Sequence, residues 1–311
     1  MGLILLLIVV VIIQNYPPSS NPKNLARLSD TIKIRRNLEA IINTSKSRYF
    51  LNVDVLDSVA EHIRVELIKT TSRVTTQDFQ VRNKNYKNVI ASFGPKEGKR
   101  IIVGAHYDVC LEQDGADDNA SGVAGLLELA KLLKNKNLKY RIDLVAFTLE
   151  EPPFFQTENM GSYVHAKSMY EAQIPIKGMI SLEMIGFYSD LDNSQQYPLG
   201  FLKWFYGDKG NFITIVQKPF NGNFSTEFKD LAFKNNSILT KSFKAPTFFG
   251  GIDLSDHRNY WNFGYSAVMI TNTAFYRNSK YHTKGDILPN LNIPNIGLVV
   301  DGVFRTLVEM K

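Results

Sequence analysis

The chain has 311 residues, of which 44% are hydrophobic and 21% are charged, a globular composition that excludes a long disordered region. The net charge is +6, but lysine and arginine are spread along the sequence, so we expect no nucleic-acid partner. Cys110 is the single cysteine, which excludes an internal disulfide and a cysteine-based zinc finger. We interpret it as a small side chain near a strand end rather than a reactive thiol.

The sequence opens with twelve apolar residues, Gly2–Ile13, followed by the linker Pro17-Pro18-Ser19-Ser20. A run of this length is short for a membrane span and typical of the hydrophobic region of a signal peptide. No lysine or arginine precedes it, and no small-x-small cleavage site follows it. We therefore divide the chain into a signal or anchor segment, 1–20, and a single globular domain, 21–311. The protein is expected to be exported, periplasmic or secreted, or held weakly at a membrane by its first segment.

Helical and extended patterns alternate through the rest of the chain. Apolar residues recur at helical spacing in Leu28–Ile42, with Ser29 or Asp30 as the cap, and the apolar run Ile101–Gly104 indicates a buried strand. This alternation predicts an α/β fold with a mixed, mostly parallel central sheet covered by helices on both faces. The other predicted helices are Val55–Thr70, Ser121–Leu133, Gly161–Ala172, Phe224–Lys234 and Pro294–Met310, and the other strands are Val74–Val81, Asn88–Phe93, Arg141–Phe147, Met179–Leu182, Phe212–Val216, Ile238–Ser242 and Ser266–Ile270.

Imidazole and carboxylate side chains follow the ends of several predicted strands. Because open α/β sheets bind ligands at the carboxyl ends of their strands, we expect these side chains to meet. Two histidines with several carboxylates suit zinc. Each position also has a structural alternative, since a loop histidine is commonly a surface residue and an Asp-Asp-Asn-Ala-Ser-Gly run is commonly a turn and helix cap. The candidates are His106, Asp117, Glu150, Glu151, Glu183 and, in a late loop, His282.

Five short motifs occur in order between Leu28 and the C terminus. They are His-Tyr-Asp at 106–108, Gly-Ala-Asp-Asp-Asn-Ala-Ser-Gly at 115–122, Glu-Glu at 150–151, Ser-Asp-His at 255–257 and Tyr-His-Thr at 281–283. Their order and spacing resemble those of the co-catalytic zinc aminopeptidases, a family that includes bacterial leucine aminopeptidase and is similar to glutamate carboxypeptidase and glutaminyl cyclase. The resemblance implies the three-layer zinc exopeptidase fold, similar to the phosphorylase/hydrolase fold, and makes 21–311 a zinc peptidase catalytic domain.

The resemblance also implies a role for each candidate. Glu150 binds no metal and is the general base that takes a proton from the attacking water. Asp108 is placed to hydrogen-bond the outer ring nitrogen of His106. In this assignment Asp117 bridges two zinc ions, and the remaining ligands are His106 and Glu183 on one ion and Glu151 and His282 on the other.

Three further positions keep two interpretations each. Tyr281 either hydrogen-bonds the oxyanion of the tetrahedral intermediate, as the resemblance implies, or packs as an aromatic, with Tyr276 as the rival candidate. Asp256 either orients a ligand or caps the helix that begins near His257. The pair Phe154-Phe155, in the loop after the Glu-Glu pair, lines the substrate pocket or packs on the core, and we favour the pocket.

Two departures from the family pattern concern the site. Glu183 stands where the family usually has aspartate, and Pro152–Met160 intervenes before the Gly-Ser start of a helix. The longer glutamate is still an adequate zinc ligand.

The sequence predicts a zinc-dependent exopeptidase, most simply an aminopeptidase that removes N-terminal residues from peptides. The alternatives are a glutaminyl cyclase-like acyltransferase, a carboxypeptidase or dipeptidase of the same family, and a non-catalytic binding domain. The cyclases usually have tryptophan before the last histidine and use one zinc, so Tyr281 and His106 favour hydrolysis. Neither the preferred substrate residue nor the oligomeric state follows from the sequence.

Overall fold

The computed structural model describes residues 18–310. The apolar segment Gly2–Ile13, and with it the predicted signal or anchor, lies outside these residues. Within the described part of the chain, no helix is both long enough and apolar enough to cross a bilayer.

One mixed sheet of nine strands organises the described residues. The strands are β1 (Ser19–Ser20), β2 (Val74–Val81), β3 (Lys84–Phe93), β4 (Arg100–His106), β5 (Arg141–Phe147), β6 (Ile176–Glu183), β7 (Ile213–Gln217), β8 (Thr240–Lys244) and β9 (Ala267–Thr271). Their order across the sheet is β1-β8-β7-β9-β6-β4-β5-β3-β2. The central neighbours β5, β4, β6 and β9 run parallel, as do β7 and β8, and antiparallel pairs complete the sheet. The predicted mixed α/β sheet is confirmed.

Helices cover both faces of this sheet. Because β4 and β5 are covered on both sides, they are almost uniformly apolar instead of alternating. Side chains of α1, α2, α3, α6 and α8 form one core with the sheet, and those of α4 and α7 pack on the opposite face. The helices are α1 (Thr31–Ile42), α2 (Val53–Ile68), α3 (Gly122–Leu133), α4 (Gly161–Glu171), α5 (Lys203–Tyr206), α6 (Gly222–Asn235), α7 (His257–Asn262) and α8 (Ile293–Glu309).

The first helix begins three residues later than its apolar pattern predicts. The carboxylate of Asp30 accepts hydrogen bonds from the backbone N–H groups of Ile32 and Lys33, both at 3.1 Å, and so caps α1. Ser29 is not the cap, because its hydroxyl accepts no hydrogen bond within the described residues; its backbone N–H donates to the Asp301 carboxylate at 2.9 Å. The preceding residues are therefore fixed by contact with α8 rather than by helical hydrogen bonds.

Arg48 holds the long connection between β4 and α3 in place. Its guanidinium is buried and donates to the carbonyl oxygens of Tyr107 at 2.8 Å, Asp114 at 2.7 Å and Gly115 at 3.0 Å. A buried carbonyl without a donor costs free energy, and one planar guanidinium satisfies three here. This side chain therefore fixes the loop that carries the acidic Gly115–Gly122 motif.

Replacing Arg48 with lysine tests this anchoring. The ammonium cannot reproduce the fork of donors, so Arg48→Lys should lower the free energy of unfolding by about 2–4 kcal/mol, measured by urea denaturation. The matched control is Arg64→Lys, at a partly exposed arginine that pairs with Glu61 on the same helix, and it should leave the urea midpoint almost unchanged. Equal losses in the two variants would contradict the anchoring role.

Candidate metal centre

The carboxyl ends of three neighbouring parallel strands bring the candidate residues together. His106 ends β4, the pair Glu150-Glu151 follows β5, and Glu183 ends β6. Two connections add one residue each: Asp118 comes from the segment between β4 and α3, and His282 from the loop between β9 and α8. Five of the six residues are buried, and the His282 side chain is 26% exposed. The predicted meeting of these side chains at one sheet edge is confirmed for all except Asp117.

The carboxylate of Asp118 lies between the two histidines. Its Oδ1 is 3.3 Å from His106 Nε2, and its Oδ2 is 3.1 Å from His282 Nε2. Each histidine faces one further glutamate: Glu183 Oε2 is 3.5 Å from His106 Nε2, and Glu151 Oε2 is 3.1 Å from His282 Nε2. The arrangement offers two adjacent groups of imidazole and carboxylate ligands that share one aspartate.

The donor atoms fit divalent metal ions. His106 Nε2, His282 Nε2 and Glu151 Oε1 are buried and have no hydrogen-bond partner within the described residues. Buried polar atoms without partners are rare in native proteins unless an ion or water satisfies them. Ligand atoms of His106, Asp118 and Glu183 lie within 4.8 Å of one another, a spacing that one metal ion can satisfy.

The prediction that Asp117 is the shared carboxylate is wrong. Its Oδ1 accepts from the backbone N–H of Gly186 at 2.9 Å, and its Oδ2 accepts from the side-chain amides of Asn272 at 2.8 Å and Asn278 at 3.2 Å. These bonds turn its carboxylate away from the histidines, and the next residue takes the shared position. The sequence presents two adjacent aspartates, and no pattern in it says which of them faces the site.

The backbone around Asp118 is fixed on both sides. Gly115 has a φ of 56°, and a Cβ there would lie 2.3 Å from the carbonyl oxygen of Asp118, so only glycine allows this close approach. The Asp286 carboxylate accepts from the N–H groups of Asp117 and Asp118 at 2.9 and 3.0 Å. Asn119 donates to the Leu182 carbonyl at 2.9 Å and so ties this segment to the end of β6.

Asp108 orients three groups at once. Its carboxylate accepts from the backbone N–H groups of Glu150 at 3.2 Å and Glu151 at 3.1 Å, and its Oδ1 is 3.5 Å from His106 Nδ1. The predicted hydrogen bond between Asp108 and the outer ring nitrogen of His106 is made by the Asp108 backbone carbonyl oxygen, at 3.2 Å, and the bonds to the Glu-Glu backbone were not foreseen. At the end of β6, Glu183 Oε2 accepts a hydrogen bond from the Ser255 hydroxyl at 2.7 Å. Hydrogen bonds of this kind fix the orientation of metal ligands.

Burial and mutual repulsion shape the titration of the site. Burial, together with Glu151 and Glu183, raises the pKa of Glu150 well above its usual range although His106 opposes the shift. Burial would lower the pKa of His282, but the Asp118 and Glu151 carboxylates, each 3.1 Å from its Nε2, raise it to about 10. Burial would raise the pKa of Asp118, and the two histidines reverse this effect and lower it. Without cations, the site therefore keeps protons that bound metal ions would displace.

Two of the open aromatic assignments are resolved by their contacts. Phe154 packs against Phe50, with ring centroids 5.0 Å apart, so the prediction that it lines the substrate pocket is wrong. The Tyr276 hydroxyl donates to the Gly250 carbonyl at 3.4 Å. Tyr281 stacks on the His282 ring at 3.7 Å and lines a cavity beside Glu183. Tyr276 lines the same cavity, but Tyr281 lies beside the candidate ligand His282, which favours Tyr281 for contact with substrate.

Asp256 and Cys110 lie beside the centre. Asp256 precedes α7, but its side chain makes no capping hydrogen bond; burial and the nearby Glu183 raise its pKa to about 7 although His106 opposes the shift. The Cys110 sulfur lies within 4.8 Å of ligand atoms of Glu151 and His282. Burial, with Glu151 next, raises the pKa of this thiol to about 12, which keeps it protonated and favours the interpretation as a packing residue.

The family follows from comparison with known sequences. Residues 88–307 match the profile of Peptidase family M28. The Escherichia coli protein YfbL, described as uncharacterized, is 42% identical over 287 residues, covering 90% of this chain and 88% of that protein. The chain therefore belongs to peptidase family M28, a metal-dependent family, as the sequence motifs imply.

More distant relatives and solved structures agree with the fold. Leucine aminopeptidase 1 of Phaeosphaeria nodorum is 26% identical over 222 residues, covering 67% of this chain and 51% of that protein, so this chain spans about half of its length. LapB from Legionella pneumophila superposes with a TM-score of 0.71 at 20% identity, over 90% of this chain and 72% of that one. Porphyromonas gingivalis glutaminyl cyclase gives 0.67 at 19% identity, over 91% and 99%. The predicted fold class is confirmed.

The two adjacent aspartates give a direct test of the centre. Asp118→Asn removes the charge that faces both histidines and should lower the divalent metal content of the purified protein by at least half, measured by mass spectrometry. Asp117→Asn, the matched control, should keep its metal but melt several degrees lower, because an amide cannot accept all three hydrogen bonds. Metal loss in the control with full metal in Asp118→Asn would contradict the assignment.

Proposed function

We propose that the protein is an aminopeptidase that binds two zinc ions and removes N-terminal residues from peptides. The observation that carries this proposal is the Asp118 carboxylate, whose two oxygens face different histidines. Imidazole and carboxylate are ligands that zinc takes readily. The proposed ligands are His106, Asp118 and Glu183 for one ion and His282, Asp118 and Glu151 for the other.

Glu150 is the residue proposed to move the proton. Two zinc ions would polarise the scissile carbonyl and lower the pKa of the attacking water. Glu150 is buried and its Oε2 lies 3.8 Å from His106 Nε2, beside the ligand groups but farther from either histidine than the proposed ligands are. Its carboxylate accepts the proton of the attacking water and then donates it to the leaving amine. The hydrogen bonds from the Glu150 and Glu151 backbone to Asp108 hold this side chain in a fixed relation to its neighbour.

A cavity beside the centre supports exopeptidase activity. Glu183 and Tyr281 line it, together with several polar side chains and a larger number of aromatic and aliphatic ones such as Phe212. Its volume of about 90 Å³ is smaller than the ~150 Å³ cavity that binds benzene in another protein. The cavity therefore suits one side chain and not a continuing peptide, as expected where a substrate chain begins.

The family resemblance leaves a cyclase as the second candidate. Solved glutaminyl cyclases share the fold, but tyrosine rather than tryptophan precedes His282, and His106 is retained. Both features favour hydrolysis by two metals. We also propose export or weak membrane attachment through Gly2–Ile13, which is supported by the sequence pattern alone.

Replacing the proposed base separates proton transfer from metal binding. Glu150→Gln should lower kcat by about 10²–10⁴-fold while zinc content stays at the wild-type level. Glu158→Gln, at an exposed glutamate later in the same loop, is the matched control and should retain full activity. Wild-type turnover in Glu150→Gln would exclude the general-base role.

Substrate chemistry separates the candidate activities. The protein should hydrolyse leucyl-aminomethylcoumarin, lose this activity with a chelator, regain it with added zinc, and leave the N-acetylated substrate intact. Hydrolysis of the blocked substrate would argue against an aminopeptidase. Cyclisation of a peptide that begins with glutamine, without release of an amino acid, would instead support the cyclase.

A further inference from the structure

The inner part of the cavity beside Glu183 is a row of side chains across four strands. The register places Glu183 of β6 beside Thr271 of β9, Thr271 beside Thr214 of β7, and Thr214 beside Lys241 of β8. Residues directly opposite one another on neighbouring strands point to the same face of the sheet. All four line the cavity. Three strand spacings of about 4.8 Å put the Cα atoms of Glu183 and Lys241 roughly 14 Å apart.

Lys241 brings a positive charge to the far end of this row. The residue is 8% exposed, its Nζ donates to the Tyr206 carbonyl, and the same atom lies 3.5 Å from the centroid of the Phe212 ring. No carboxylate of residues 18–310 lies within ion-pair distance of it. Buried lysines are normally paired, so this one lacks its usual counter-ion.

Thr214 adds an unsatisfied polar atom in the row between Lys241 and Glu183. It is 5% exposed, and its Oγ1 has no hydrogen-bond partner among the described residues. A buried hydroxyl in this state costs free energy unless a ligand or water supplies a partner. Its place in the row makes it a donor for a group that also reaches Lys241.

Arg277 increases the positive potential behind the cavity. Its guanidinium carbon lies 4.5 Å from the centroid of the same Phe212 ring, and within the described chain it forms no ion pair either. Burial, and then the charge of Arg277, lower the pKa of Lys241 to about 8. The two cations repel each other, and an anion in the cavity would relieve this repulsion.

We propose that the cavity selects substrates whose N-terminal residue has an anionic side chain, with glutamate preferred. The methylene groups of such a side chain pack on the apolar walls, and its carboxylate accepts hydrogen bonds from Lys241 Nζ and Thr214 Oγ1. This inference rests on the proposed aminopeptidase function and adds the substrate class to it. A neutral side chain of similar length, such as methionine, would offer neither donor an acceptor and would leave the charge of Lys241 uncompensated, and that loss is the basis of selectivity.

The test compares glutamyl-, methionyl-, leucyl- and lysyl-aminomethylcoumarin, which have no free α-carboxylate. The wild-type kcat/KM for the glutamyl substrate should exceed that for the methionyl substrate by about tenfold or more. Lys241→Met should remove this ratio, and Lys241→Glu should shift preference toward the lysyl substrate. Lys234→Met, at an exposed lysine of α6, is the charge-matched control and should keep the wild-type ratio. Thermal melting of each variant checks that it is folded.

The outcomes separate this inference from the function on which it rests. Hydrolysis of the leucyl substrate with a glutamyl-to-methionyl ratio near one would overturn the cavity assignment and leave the aminopeptidase intact. A Lys241-dependent preference for alanyl-glutamate over glutamyl-alanine would place the anion on the second residue and also overturn it.

If no substrate is cleaved, the proposed function fails, and binding then decides the cavity assignment. L-glutamate should raise the melting temperature of the wild type more than L-methionine does, and Lys241→Met should abolish the difference. Equal shifts in the wild type would overturn the inference.

Discussion

Four buried carboxylates around two imidazoles are the constraint on which this molecule depends. Asp118, Glu150, Glu151 and Glu183 converge at the carboxyl ends of β4, β5 and β6, and within residues 18–310 only histidines pair with them. Such a concentration of negative charge in a water-poor site is unfavourable unless protons or cations compensate it. Hydrogen bonds made by Asp108 and by Asn119 fix the backbone segments that carry these carboxylates, although the carboxylates repel one another. The geometry is therefore prepared for metal before any metal binds.

Much of this arrangement could be predicted because parallel strands obey a simple rule. His106, Glu150 and Glu183 each come directly after a buried apolar run, and parallel neighbours bring such positions to one edge. The helices of the two layers could be predicted from the helical spacing of their apolar residues. Their ends were predicted less accurately, because the first and last residues of a helix depend on tertiary partners such as Asp301.

What the sequence could not provide depends on backbone direction and long-range register. The choice between Asp117 and Asp118 rests on how one turn is held by Asp286 and Gly115. Phe154 follows the Glu150-Glu151 pair in sequence, yet its loop turns back onto Phe50. Nothing in the sequence indicated that Lys241 lies in the same cavity as Glu183. That arrangement depends on the order of four strands that are far apart in the chain.

The short strand β1 has a consequence for the cavity. Ser19 and Ser20 pair with Lys241 and Thr240, and the N–H of Ser242 donates to the Pro18 carbonyl at 2.8 Å. Without these two residues β8 would become an unprotected sheet edge, free to add a strand from another molecule. A shortened chain that begins after Ser20 would therefore tend to self-associate. It would also lose the strand partner that holds the backbone of Lys241 in place. A few backbone hydrogen bonds at the start of the described chain therefore both protect the sheet edge and hold the strand that carries Lys241 in the cavity.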